Sequence, residues 1–129
     1  METSLESLTM NYQERIRLNQ NLKRQFRHNY PEGTIKWSNT TLEHFLVLCQ
    51  VFDYMKRNGY EVWSECVFLN GCRADIVAIQ GTSGFILEIL HTEKDKRFKA
   101  KLEGKYGELE GFMVIPIKTQ DFDIKTFKI

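Results

Sequence analysis

The chain has 129 residues, of which 42% are hydrophobic and 27% charged. This length suits one domain with a single core, and the hydrophobic fraction excludes a disordered chain. The longest apolar stretches, such as residues 45–49, fall far short of the roughly 20 residues that a membrane-spanning helix needs, so we expect no membrane segment. The three cysteines stand at unrelated spacings, which indicates neither a disulfide framework nor a zinc site and favours a reducing, cytoplasmic setting.

A formal net charge of +1 conceals two basic segments. Residues 13–36 and residues 94–105 each contain six Lys or Arg residues against two acidic ones. Such segments bind polyanions by releasing phosphate counterions, but they also occur as ordinary solvated helix faces. The charge pattern alone leaves both a nucleic-acid partner and two ordinary solvated helix faces open. The candidate nucleic-acid-binding residues are Arg24, Arg27, Lys94, Lys96, Arg97, Lys99, Lys101 and Lys105.

The predicted elements begin with an amphipathic helix over about residues 8–28, in which apolar side chains recur at helical spacing between basic ones. We assign residues 1–36 to an N-terminal basic helix that either packs on the body or forms an arm for a partner, and residues 37–129 to an α/β domain. A second helix is predicted from residue 42 to residue 58, followed by Gly59 as a left-handed C-terminal cap.

The remaining elements are strands at about residues 60–69, 73–79, 85–90 and 112–117, with a basic helix over residues 94–105 before the last strand. A helix between the third and fourth strands permits them to run parallel. The order of a helix, three strands, a helix and a strand predicts an α/β fold with a mixed sheet flanked by helices.

Two carboxylates interrupt otherwise apolar strands. Asp75 lies near the start of one strand and Glu88 inside the next, where an unpaired carboxylate is costly to bury. A two-residue turn at residues 81–82 would place the two directly opposite each other, and like charges across a ladder are destabilising. A divalent cation between them would reverse that effect. The alternative is that Arg73 or a nearby lysine pairs with one carboxylate and water satisfies the other.

These residues resemble the PD-(D/E)xK nuclease superfamily, in particular its small archaeal Holliday-junction-resolvase-like and Mrr-like domains. The resemblance rests on Glu43 in the first helix, the turn at residues 59–60, and the segments at residues 73–77 and 87–89, and it covers about residues 40–117. It implies a restriction-endonuclease-like core, Mg²⁺ (or Mn²⁺) as cofactor, and hydrolysis of phosphodiester bonds in DNA, with RNA not excluded. It also implies a homodimer, for which the N-terminal helix could supply the interface.

The resemblance implies that Asp75 and Glu88 bind the metal ion and that Glu43 completes the site. A capping box formed by residues 40–43 explains Glu43 equally well. The superfamily's lysine, two residues after the strand carboxylate, is replaced by Leu90. A lysine of the following helix could take its place. The candidates, in order of preference, are Lys99 and Lys101, then Lys96.

Three function classes therefore compete. The first is a metal-dependent DNA endonuclease, either structure-selective or non-specific, with Asp75, Glu88 and either Lys99 or Lys101 as catalytic residues. The second is a nuclease-fold domain that has lost hydrolysis and serves as a nucleic-acid-binding or protein-assembly module. The third is a protein-interaction domain in which both carboxylates are surface acids.

Overall fold

The computed structural model describes residues 5–27, 29–36, 41–90 and 95–129, with side chains for residues 11–27, 29–36, 41–90 and 98–129. The helices are α1 (Leu5–Arg24), α2 (Leu42–Arg57) and α3 (Asp95–Glu103). The strands are β1 (Phe26–Arg27), β2 (Glu61–Phe68), β3 (Arg73–Gln80), β4 (Ser83–Leu90) and β5 (Phe112–Lys118). Short 3₁₀ helices span Lys105–Glu108 and Thr119–Asp121.

The strands form one mixed sheet in the order β1-β2-β3-β4-β5. Strands β1 to β4 pair antiparallel with their neighbours, whereas β5 runs parallel to β4. The connection through α3 permits this parallel pairing, since a tight turn joins only antiparallel strands. The predicted α/β class, the mixed sheet and its flanking helices are confirmed.

Apolar side chains cover both faces of the sheet. On one face α2 packs against the central strands, and the buried residues include Val47, Leu48, Val51, Met55, Val62, Ile76, Leu87 and Ile89. On the other face lie the end of α1 and the first 3₁₀ helix, and the buried residues include Leu22, Phe26, Trp63, Phe68, Val77, Ile86 and Tyr106. A sheet covered on both faces explains why β3 and β4 are nearly continuous apolar runs.

The start of α2 differs from the predicted capping box. The Thr41 hydroxyl accepts a hydrogen bond from the backbone N–H of His44 at 3.2 Å, so Thr41 is the N-cap. Glu43 therefore occupies the second helical position and not the third, from which a capping-box glutamate reaches back. Thr40 lies outside the described residues. At the other end Gly59 has φ +85°, which confirms the left-handed cap that a side chain would strain.

The N-terminal segment joins the sheet. Helix α1 ends at Arg24, before the predicted limit at residue 28, because Phe26 and Arg27 pair with Phe68 and Val67 of β2. Leu22 is buried against Gly84, where an added Cβ would stand 2.9 Å from the Leu22 Cδ2 atom. The end of α1 thus packs on the body.

Residues 11–18 of α1 are exposed and contribute little to this core. Tyr12 and Ile16 are exposed, at 66% and 42% respectively.

No helix in the described ranges is long and apolar enough to cross a membrane. The three cysteines are free thiols.

Candidate functional site

The β3–β4 hairpin brings the two predicted carboxylates together. A two-residue turn at residues 81–82 joins the strands, and Ile76 pairs with Leu87. One further step along both strands sets Asp75 opposite Glu88, which confirms the register predicted from the sequence. Glu88 is only 5% exposed, and the Asp75 side chain is 21% exposed. The pair therefore lies at the edge of the core with one member accessible from solvent.

Asp75 is held by a backbone group and by α2. Its Oδ2 atom accepts a hydrogen bond from the Ile89 N–H at 2.9 Å, and the His44 Nε2 atom lies 3.5 Å from the same oxygen. Burial opposes ionisation of this carboxyl, but the hydrogen bonds from His44 and Ile89 outweigh burial and lower its pKa. Asp75 is therefore the ionised member of the pair.

Glu88 is the protonated member. Burial, followed by the charge of Asp75, raises the pKa of Glu88 to about 9, although the ammonium group of Lys101 acts in the opposite direction. The Lys101 Nζ atom lies 3.7 Å from Glu88 Oε1. At neutral pH the two carboxyls thus carry one negative charge between them.

The Tyr106 hydroxyl also lies beside Glu88. It donates to the backbone oxygen of Arg73 at 2.7 Å and also contacts Glu88 Oε1. The hydrogen bond to Arg73 links the 3₁₀ helix after α3 to the start of β3. Because the tyrosine is buried, its hydroxyl needs a partner, and Arg73 supplies one.

A local distortion of β2 faces Asp75. Glu65 has φ +53°, a left-handed conformation that is uncommon for a residue with a side chain. It stands opposite Asp75, at the one position where the β2–β3 pairing skips a residue pair. As a result Trp63 and Cys66 lie in the same core cluster. Side chains of β2 therefore do not alternate strictly between the two faces, since the distortion moves side chains from one face to the other.

The structure distinguishes among the predicted lysines. Lys101 lies beside Glu88, whereas Lys99 is exposed and makes no contact with either carboxylate in the described part of the chain. Lys94 falls outside the described residues, and so do the side chains of Lys96 and Arg97. Leu90, at the position of the superfamily's lysine, is buried at 7% exposure.

Glu43 is exposed in the first turn of α2, and no ion pair joins it to another described residue. The side chain that α2 directs at the pair is the adjacent His44. Sequence reasoning missed His44, although a signal existed, because it lies three, four and seven residues before the buried Val47, Leu48 and Val51. Tyr106 was also missed, since its role depends on a 3₁₀ helix that no periodicity indicates.

The remaining predicted cations lie toward the same end of the sheet as the carboxyl pair. Arg27 is opposite Val67, and Val67 is opposite Arg73, so the three form one row across β1, β2 and β3. Side chains directly opposite each other share a face of the sheet. Arg24 is exposed at the end of α1, and Lys105 begins the 3₁₀ helix after α3.

The donor set was tested for a divalent cation. Among the residues that the structure describes, no group of three or more His, Cys, Asp or Glu side chains is arranged to hold a metal ion. Mg²⁺ is commonly bound by one or two carboxylates, with water and substrate phosphates completing its coordination. Asp75 and Glu88 fit this requirement, because they supply two neighbouring carboxyl groups, and a cation bound between them would displace the proton that keeps Glu88 neutral.

Comparison of the chain with protein-family models, with curated proteins and with solved structures gave no match.

Proposed function

We propose that this protein is a metal-dependent nuclease with a restriction-endonuclease-like core, hydrolysing phosphodiester bonds in DNA. The observation that carries the proposal is the buried Asp75–Glu88 pair, held across one strand ladder with Lys101 at its side. Two carboxylates in an apolar sheet are costly to the fold, which supports a chemical role for them. Mg²⁺ or Mn²⁺ is the proposed cofactor, with Asp75 and Glu88 as its ligands.

The residues around the carboxyl pair have separate roles in the proposed reaction. A bound divalent cation would lower the pKa of a water molecule and neutralise charge on the phosphate. Asp75 is oriented for binding by the Ile89 N–H and by His44, and the carboxyl position does not depend on a loop. Lys101, 45% exposed, reaches both Glu88 and solvent, so its ammonium group is available to a phosphate oxygen. Lys101 would thus take the role of the superfamily's lysine, whose position in this chain is occupied by Leu90.

The proposed substrate is the sugar–phosphate backbone of DNA. Arg27, Arg73, Lys101 and Lys105 provide positive charge near the pair, which positions a backbone without reading its sequence. Cleavage would then be non-specific or selective for DNA structure. RNA is a second substrate to be included in the assay.

The three free cysteines agree with the cytoplasmic location expected from the sequence.

A cleavage assay tests the proposal. Supercoiled plasmid, branched DNA and single-stranded RNA are incubated with wild-type protein and Mn²⁺, Mg²⁺ or EDTA. We expect cleavage of DNA that requires metal and that is abolished by Asp75→Asn and by Glu88→Gln. Glu43→Gln is the matched control, since it removes an exposed carboxylate from the same end of α2. The absence of cleavage under all conditions, or equal cleavage by the Asp75→Asn protein, would refute the proposal.

A second candidate function is a nucleic-acid-binding module that has lost hydrolysis. It is favoured by Leu90 at the lysine position and by the enclosure of Glu88 beneath the Tyr106 hydroxyl. This candidate predicts salt-dependent DNA binding without cleavage, because each phosphate contact releases counterions. DNA binding that is independent of salt, or no binding at all, would instead favour the protein-interaction domain.

The homodimer remains a prediction, and sedimentation of the wild type and of an Ile16→Glu protein tests it.

A further inference from the structure

A pocket of about 520 Å³ lies between the β2–β3 turn and the end of α3. Its lining includes Cys72, Arg73, Lys101 and Lys105. Lys101 also stands beside Glu88, and the backbone oxygen of Arg73 accepts the Tyr106 hydroxyl. The pocket is therefore lined by residues that also neighbour the carboxyl pair. Its volume falls within the usual range of small-molecule sites.

Two ammonium groups converge on this pocket. The Lys105 Nζ atom lies 3.3 Å from the point where a Cβ atom on Gly71 would stand, so it sits directly over the turn. Burial raises the pKa of the Cys72 thiol, whereas the charges of Lys101 and Lys105 act to lower it. Both lysines are thus close to Cys72.

Close ion pairs among the described residues do not balance the positive charge of the pocket. Ion pairs at 2.8–2.9 Å join Lys23 to Glu61, Lys56 to Glu32 and Arg57 to Asp53. In contrast, neither Arg73 nor Lys105 forms an ion pair with any residue in the described ranges. The acidic partner of Lys101 within the described part of the chain is Glu88, at 3.7 Å. A pocket with this excess of positive charge suits an anionic ligand.

Hydrogen bonds fix the shape of the pocket before any ligand binds. The Asn70 Nδ2 atom donates to the backbone oxygen of Lys105 at 2.9 Å, and the Cys72 N–H donates to Asn70 Oδ1 at 3.0 Å. Asn70 thus links the turn to the 3₁₀ helix. A preformed site loses less conformational entropy on binding than a flexible one.

We propose that this pocket binds a phosphate monoester at the end of a nucleic-acid strand. A monoester carries a charge of about −1.5 to −2 at pH 7, which matches the two unpaired cations Arg73 and Lys105 better than the single charge of an internal diester. The pocket is larger than a phosphate ion requires, so a terminal nucleotide fits it. The choice of nucleic acid rests on the proposed nuclease function, because Lys101 joins the pocket to the carboxyl pair.

Fluorescence anisotropy in EDTA tests this inference without cleavage. Three labelled single strands of identical sequence carry a 5′-phosphate, a 3′-phosphate or hydroxyl groups at both ends. We expect one phosphorylated strand to bind about tenfold more tightly than the hydroxyl strand, as a charge-assisted contact would give. Lys105→Gln and, independently, Arg73→Gln should reduce this preference. Lys128→Gln, which removes an exposed charge from the C-terminus, should retain it.

Equal affinity for all three strands would overturn the inference. So would inorganic phosphate that binds as tightly as the phosphorylated strand, since the site would then be one for the free ion. The outcome is separable from the nuclease proposal. A preference for phosphorylated ends without metal-dependent cleavage would refute the nuclease alone, and cleavage without end preference would refute only the pocket assignment.

Discussion

The Lys101 Nζ atom lies 3.7 Å from Glu88 Oε1, so a helix brings an ammonium group to a carboxyl that strand β4 leaves without one. The same ammonium group stands 5.6 Å from the centre of the Tyr106 ring. These contacts define a site in which Asp75 carries the negative charge and Glu88 retains a proton. The expected effects of metal, pH and substitution follow from this difference in protonation between Asp75 and Glu88.

Metal binding should stabilise the wild-type protein through this pair. Mn²⁺ bound only to the native state raises the melting temperature, because ligand binding shifts the unfolding equilibrium. Asp75→Asn should abolish the rise, although its amide oxygen can still accept the Ile89 N–H and preserve the fold. Differential scanning fluorimetry with a Mn²⁺ titration measures the effect. A rise that persists in the Asp75→Asn protein would show that the metal binds elsewhere.

Without metal, stability should fall as pH rises between 6 and 8. Glu88 has a folded-state pKa of about 9 against an unfolded value near 4.5, so the native state binds the extra proton between these values. The free energy of unfolding should decrease by about 1.4 kcal/mol per pH unit. The lowered pKa of Asp75 affects stability only in more acidic solution, below its ordinary value of 3.8.

Glu88→Gln is the control for this prediction, since glutamine imitates the protonated carboxyl. Urea denaturation in EDTA should show that this substitution removes the slope. The variant should therefore exceed the wild type in stability by a margin that grows toward pH 8. Parallel pH profiles for the two proteins would contradict protonation of Glu88.

Tyr106→Phe should destabilise the fold by about 1–3 kcal/mol, because it leaves the buried backbone oxygen of Arg73 without its donor and removes the hydroxyl that contacts Glu88. Tyr12→Phe provides the matched control and should be neutral, since Tyr12 is 66% exposed. Chemical denaturation of both variants is the measurement. Equal stability of the two would mean that the Tyr106 hydroxyl contributes nothing.

The two candidate lysines should differ in their effect on cleavage. Lys101→Met should reduce the rate by about 10²-fold or more, the usual contribution of a positioned electrostatic group. Lys99→Met should reduce it much less, because the structure directs Lys99 to solvent. Single-turnover kinetics at saturating Mn²⁺ compares the two. A larger loss at Lys99 would reverse the assignment.

The sequence predicted those features that depend on local pattern. Hydrophobic period, turn length and the crossover rule were sufficient for the register of Asp75 against Glu88 and for the parallel β4–β5 pair. They were insufficient where tertiary contacts override pattern. Strand β1 forms because Phe26 completes a core, and the left-handed Glu65 shifts the faces of β2.

The same limit applied to the site. Asp75 and Glu88 were predicted because a carboxylate among apolar neighbours is conspicuous in a sequence. His44 and Tyr106 approach the pair from elements far away in the chain, and an aromatic or imidazole group in a core is unremarkable by sequence alone. Lys101 was one of several lysines on the basic helix, and only the three-dimensional fold distinguishes it from Lys99.

The most direct test of the account is a crystal of the wild-type protein soaked in Mn²⁺. We expect an anomalous difference peak between Asp75 and Glu88, with oxygen ligands from both carboxyls, and no peak at this position in crystals of the Asp75→Asn protein. A fully soaked crystal with no anomalous density at the pair, or with Mn²⁺ bound only at other carboxylates, would contradict the central claim that these two residues form a metal site.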